Sequence, residues 1–200
     1  MKKSDFARTL KLACRFNKYV RLITNHPDGD VYDGYVLACN REMVLLQNED
    51  DFVFDGIIAF PLRSIKRIRT GALEKVRNEI CVQFGLRKKI NKSLWLLKVN
   101  NLQQIIDECG RRNIWPTIEA KTKGATGLYI GPITRANQSE FGIYVYDALG
   151  KWEGGYRLPY KEVLKIELFD SYSSNFNRYM RKKMRGRRKP RYVELSKDEK

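Results

Sequence analysis

Long apolar runs, paired cysteines and histidines are what this 200-residue chain most conspicuously has little of. No stretch approaches the ~20 apolar residues that span a bilayer. The N-terminal segment is broken by Arg8, Lys11 and Arg15 where an export signal would need an apolar core, so export is not expected. Cys14, Cys39, Cys81 and Cys109 stand singly with no C-x2-C pair. That spacing argues against a zinc site and against a disulfide framework, and it fits small buried hydrophobes in a reducing cytoplasm. The single histidine, His26, precedes a proline in a loop and supports no Ser-His or Cys-His dyad. No G-x4-G-K-[ST] loop is present, and Gly124 to Gly127 is too short to replace one. Asp28, Asp30 and Asp33, and again Asp50, Asp51 and Asp55, read as acidic turns between strands rather than as the two-carboxylate Mg²⁺ site of a nuclease. No catalytic residue, no metal site and no cofactor is expected, and the chain reads as a non-enzyme.

What is present is charge, and its placement matters more than the net +16. Residues 1–21 contribute +6 and residues 178–191 contribute +9 with no acid, whereas 22–177 carry 21 basic against 19 acidic residues. Cationic ends on a nearly neutral middle are what polyanion-binding arms on a scaffold look like. With 42% hydrophobic residues the middle is expected to be globular.

The middle is also duplicated. The stretch Gly34 to Ile68 returns 97 residues later: Gly34 and Gly131 each open a strand, and Asn40 and Asn137 follow at equal distance. Pro61-x3-Ile65-x2-Ile68 recurs as Pro159-x3-Val163-x2-Ile166, with one residue inserted near Gly154 and Gly155. Helical spacing of Phe6, Leu10, Ala13 and Cys14 predicts a helix from Ser4 to about Phe16, with Arg8, Lys11, Arg15 and Lys18 on the opposite face. Such a face serves equally as a solvated surface or as a phosphate-facing stripe. Strands are expected at 19–24, 32–39, 43–47, 52–60 and 65–67, and in the second copy at 115–120, 128–135, 141–146, 156–159 and 164–168. Asn101 is placed to cap a helix that stops at Gly110, so the repeated unit is a helix plus five strands. Leu73, Val76, Ile80 and Phe84 keep helical spacing in a connector that goes on to Arg87, Lys88 and Lys89; Leu94 to Val99 fits either a strand or an interdomain contact. Ser174 is placed to cap a last helix ending near Gly186.

A helix followed by five short strands around Gly34-x-Val36-x3-Asn40-x2-Met43-Val44-x-Leu46 resembles the Sm and Sm-like RNA-binding family. The first Sm signature has a glycine opening strand two and an Asp-x2-Met-Asn turn before strand three. Asn40 stands in place of that aspartate and Val44 in place of the base-contacting asparagine. The second signature has Arg-Gly where Pro61 and Leu62 stand, and the second copy has Glu140 and Phe141 in place of Met-Asn. The tandem arrangement also looks like bacterial proteins of unassigned function. The resemblance implies a mainly β fold with flanking helices: two tandem Sm-like (SH3-like) five-stranded small barrels, each preceded by a helix, in a cytoplasmic protein. The expected divisions are 1–70, helix plus barrel; 71–100, basic connector; 101–170, helix plus barrel; and 171–200, helix and basic tail.

The expected partner is structured or ribosomal RNA, bound without catalysis. The expected contacts are Arg8, Lys11, Arg15, Lys18, Arg87, Lys88, Lys89, Arg181, Lys182, Lys183, Arg185, Arg187, Arg188, Lys189 and Arg191. If five to nine of them neutralise phosphates, log K falls against log salt with a slope of roughly −3 to −8. Tyr179, Tyr192, Trp95 and Trp152 are the expected stacking candidates. A protein-interaction adaptor using open strand edges, or a DNA-binding regulator, are the alternatives.

Overall fold

The computed structural model of the chain describes residues 3–25, 30–90, 95–122 and 124–183, with the backbone of 193–194. Its elements divide between two compact units, residues 1–100 and 101–200. Both are mainly β with flanking helices, and no described helix is long and apolar enough to cross a membrane.

The first unit starts with α1 (Lys3–Arg15), which lays Phe6, Leu10 and Ala13 into the core. A hydrogen-bond pair ends it: the Lys18 amide donates to the Ala13 carbonyl (2.8 Å) and the Asn17 amide to Cys14 (3.2 Å), with Asn17 at φ 47°. This is a Schellman cap, in which an asparagine tolerates the left-handed residue that turns the chain out of the helix. Strands β1 (Tyr19–Thr24), β2 (Val31–Cys39), β3 (Met43–Asp50), β4 (Val53–Pro61) and β5 (Ile65–Arg69) lie in the order β5-β1-β2-β3-β4. Five strands laid flat would be ~19 Å across. Yet Ile65 from one edge strand and Phe60 from the other share one core with Val20, Leu22, Val36 and Leu46, so the sheet curls onto itself. Register shifts in β1/β5, β2/β3 and β3/β4 supply the bends. The expected barrel is not closed: among the described residues β4 and β5 do not pair.

Residues 71–100 are more than a connector. The helix α2 (Ala72–Gln83) packs on the other face of the same sheet, closing over Tyr19 and Tyr35 with Cys81. The Glu74 carboxylate caps it by accepting the Gly71 amide at 2.6 Å. Leu96, in the expected strand or interdomain stretch, is buried in a short 3-10 turn (Leu96–Lys98).

The second unit repeats the plan. Its first helix, α3 (Leu102–Arg112), is capped by Asn101, whose Oδ1 accepts from the Gln104 amide at 2.9 Å. It runs past the expected stop at Gly110 to a second Schellman cap, with Asn113 at φ 54° and the Ile114 amide on the Cys109 carbonyl at 2.8 Å. Strands β6 (Thr117–Thr122), β7 (Ala125–Ile130), β8 (Ile133–Ala136), β9 (Glu140–Tyr146), β10 (Trp152–Pro159) and β11 (Val163–Leu168) form ladders β11-β6-β7 and β8-β9-β10. The two-residue β12 (Val193–Glu194) lies parallel to β8. The strand expected at 128–135 is therefore split, because Pro132 has no amide to donate to a ladder. The last helix, α4 (Ser171–Lys183), begins four residues earlier than expected because Asp170, not Ser174, caps it through the Ser173 amide at 2.7 Å. Its expected end at Gly186 lies outside the described residues.

The copies agree in detail. Asn40 Oδ1 accepts the Glu42 and Met43 amides (2.8 and 3.0 Å), and Asn137 Oδ1 accepts those of Ser139 and Glu140 (both 2.9 Å). The Leu62 amide donates to Glu42, and the Tyr160 amide to Ser139. Asn78 and Asn177, each the seventh residue of its helix, accept the hydroxyls of Tyr35 (3.0 Å) and Tyr146 (2.7 Å), although these tyrosines come from non-corresponding strands, β2 and β9.

Candidate nucleic-acid interface

Where α1 crosses the Asn40–Met43 turn and the Pro61–Ile65 turn, the first unit has an open groove of about 980 Å³. Ala7, Leu12 and Leu62 form its apolar parts; Arg8, Lys11, Arg41 and Arg63 set four cations around it against one carboxylate, Glu42. Each part has a local cause. The packing of Phe6, Leu10 and Ala13 fixes the rotation of α1 and so turns Arg8 and Lys11 outward. The Asn40 side chain shapes the turn that carries Arg41, and Pro61 (φ −62°) starts the 3-10 turn Leu62–Ser64 that carries Arg63. Arg8, Lys11, Arg41 and Arg63 are all exposed. No carboxylate among the described residues pairs with Arg8, Lys11 or Arg41, so these like charges face one groove without a neutralising ion pair.

The matched turns and caps fix which residues occupy the same places in the second unit: Gln104 for Arg8, Asp107 for Lys11, Gln138 for Arg41 and Lys161 for Arg63. One acid and one base replace four bases. On α3, Glu108 also binds Arg112 (2.6 Å) and Arg111 (3.3 Å), and those guanidinium groups hold its carboxyl below the usual range. The fold is duplicated and the basic groove is not.

The remaining expected contacts fare differently. Arg15 and Lys18 are exposed at the end of the groove's helix, both over the Phe16 ring. Lys88, Lys89 and Lys182 are exposed. Arg87 lies over the Tyr35 ring (5.6 Å), covering the cluster beneath α2. Arg181 lies 4.1 Å over the Trp115 ring and donates to the Asn113 carbonyl at 2.6 Å; burial there lowers its pKa. Lys183 donates to the Gly150 carbonyl at 2.7 Å. These three are held by their own units. Arg185, Arg187, Arg188, Lys189 and Arg191 lie outside the described residues, as do Tyr192 and His26. Of the expected stacking residues, Trp152 sits in an aromatic cluster with Trp115, Tyr144 and Tyr146. Trp95 is half-buried, and Tyr179 is exposed with its edge on Phe176.

Other chemistry is spoken for. Glu49 accepts from the Tyr19 hydroxyl and the Phe52 amide, and pairs with Arg77 at 3.1 Å. Asp33 is bound bidentately by Arg21 at 2.6 and 2.8 Å. Burial raises the pKa of Cys14, Cys81 and Cys109, and pushes Cys39 up to about 11 with help from Cys14, so none is a ready thiolate. Among the described residues no group of three or more His, Cys, Asp and Glu is placed to hold a metal ion. No protein-family model, curated protein or solved structure matches this chain.

Proposed function

We propose that this chain is a non-enzymatic RNA-binding protein built of two tandem Sm-like units, in which the first unit's basic groove and the cationic tail engage phosphates. The observation that carries the reading is the groove itself. It brings two residues from a helix and one from each of two separate turns around one open volume, and the same fold without those charges stands in the second unit as a contrast. The strand order β5-β1-β2-β3-β4, and a groove lined in part by the Asn40–Met43 turn that carries the family likeness, support the Sm-like part. Guanidinium groups suit the work because they pair bidentately with phosphate.

The test is a filter-binding titration of the full chain with single-stranded and hairpin RNA, beside R8Q/K11Q/R41Q/R63Q and a truncation after Lys183. Cutting there spares Met180, which belongs to the second unit's core. Loss of affinity in the quadruple variant, with a further loss on truncation, is expected; wild-type affinity in both removes the proposal.

A protein-interaction role is the second reading, and α2 favours it. Leu73, Val76 and Val82 lie exposed along it and Phe84, at its C-cap, is 68% exposed, while Glu74, Arg77 and Asn78 turn toward the sheet. Co-purification of a protein that survives nuclease treatment and is lost with V76S/F84S is its signature.

A further inference from the structure

We infer that the C-terminal end of α1 is a stacking platform for an unpaired base, so that the RNA in the groove is single-stranded; the inference rests on the phosphate-binding reading above. Phe16, the residue directly after α1, is 57% exposed, whereas the opposite face of that helix is packed into the core. Its backbone is fixed: the Phe16 amide donates to the Leu12 carbonyl at 3.0 Å, and the Schellman cap locks the two residues after it. The backbone that carries the ring is thus held at a set place, and more than half of the ring's residue is exposed.

Two long, exposed cationic side chains lie over the ring. The Arg15 guanidinium carbon is 5.6 Å and the Lys18 ammonium 5.7 Å from the ring centroid. Phe16 lies one helical turn, ~5.4 Å, beyond Leu12, which lines the groove, and Arg15 lies one turn beyond Lys11. A strand whose phosphates run along Arg8, Lys11 and Arg15 therefore passes an exposed aromatic ring from which Arg15 and Lys18 can swing to the flanking phosphates, leaving its face to a base. Alternating aromatic and cationic groups of this kind are how single strands are held without reading sequence. A duplex keeps its bases stacked on one another and offers Phe16 no free face. The second unit supplies the contrast again: the residue at the same place before the αL asparagine is Arg112, bound to Glu108.

The experiment is fluorescence anisotropy on the full chain with labelled oligouridylate, an abasic phosphodiester of equal length, and an RNA duplex. Phe16→Ala should weaken oligouridylate binding about tenfold, the effect of losing one stacked base. It should leave abasic binding, the salt slope and the melting temperature unchanged, and Phe16→Tyr should bind as wild type. A silent Phe16→Ala, an equal loss on the abasic strand, or tighter binding of duplex than of oligouridylate overturns the inference. The underlying reading fails separately: R8Q/K11Q that leaves abasic binding unchanged removes phosphate recognition, whereas a loss there beside a silent Phe16→Ala removes only the stacking.

Discussion

Gly34 and Gly131 have φ of 148° and 153°, and a Cβ on either would lie 1.9 Å from the Gln47 carbonyl oxygen or 2.0 Å from that of Tyr144. The neighbour is backbone in a paired strand, so it cannot step aside, and both terms of the penalty apply: an unfavourable φ and a clash. Gly34→Ala and Gly131→Ala are each expected to cost ~3 kcal/mol or more, read as a lowered denaturant midpoint in the unit that carries the change. Arg77 faces a different balance. It neutralises the buried Glu49 carboxylate while 21% of its own side chain stays exposed. Arg77→Met would strand that charge, at a cost of about 3 kcal/mol, the low end for broken buried pairs because of that exposure. A melting curve unchanged by the substitution would show that water replaces the arginine.

At the scale of elements, the two first helices divide structure from function. Both α1 and α3 bury an apolar stripe and end in a Schellman cap, so Leu10→Ala and Ile106→Ala should destabilise similarly, by ~3 kcal/mol each in denaturant unfolding. Only the α1 substitutions on the outer face should change RNA affinity. The buried stripe was legible because 3.6-residue periodicity reports directly on burial: Phe6, Leu10 and Ala13 are inward as their spacing requires. The same wheel sets Leu12 and Phe16 away from that stripe, a signal that attention to the basic residues alone passes over. Periodicity misleads in α2, where Leu73, Val76 and Phe84 keep helical spacing yet lie exposed, because an ion pair, a Tyr-Asn hydrogen bond and the small Cys81, not the large apolar residues, form the buried face. The groove was half legible. Arg8 and Lys11 lie on one helix, but Arg41 and Arg63 join them only through turns far apart in sequence. Arg181 shows the converse: a basic run suggests free cations, and proximity to Trp115 and the Asn113 carbonyl claims one of them.

Across the whole molecule, buried acids set the alkaline limit. Desolvation raises the pKa of Cys39 to about 11, from an ordinary thiol value of 9.0, and pushes up Cys109, Tyr35 and Tyr146 as well, the tyrosines from 10.0. Each keeps its proton in the folded chain beyond the pH at which the unfolded chain releases it. The unfolded state then binds fewer protons, so stability is unaffected by these groups below pH 9.0 and falls as pH rises above it. Melting temperature should therefore decline progressively from about pH 9 upward. A rise over that range would contradict the burial of these groups.

The two units share a plan and differ in charge, and affinity should follow the charge. With four groove cations on a single strand, counterion release gives about −3 in the slope of log K against log salt. The direct test is that slope for single-stranded RNA, measured on the full chain, on R8Q/K11Q/R41Q/R63Q in the first unit, and on K161Q at the matching place in the second. The account predicts that the quadruple variant loses about 3 from the magnitude of the slope while K161Q keeps the wild-type value; a quadruple variant with the wild-type slope would contradict it.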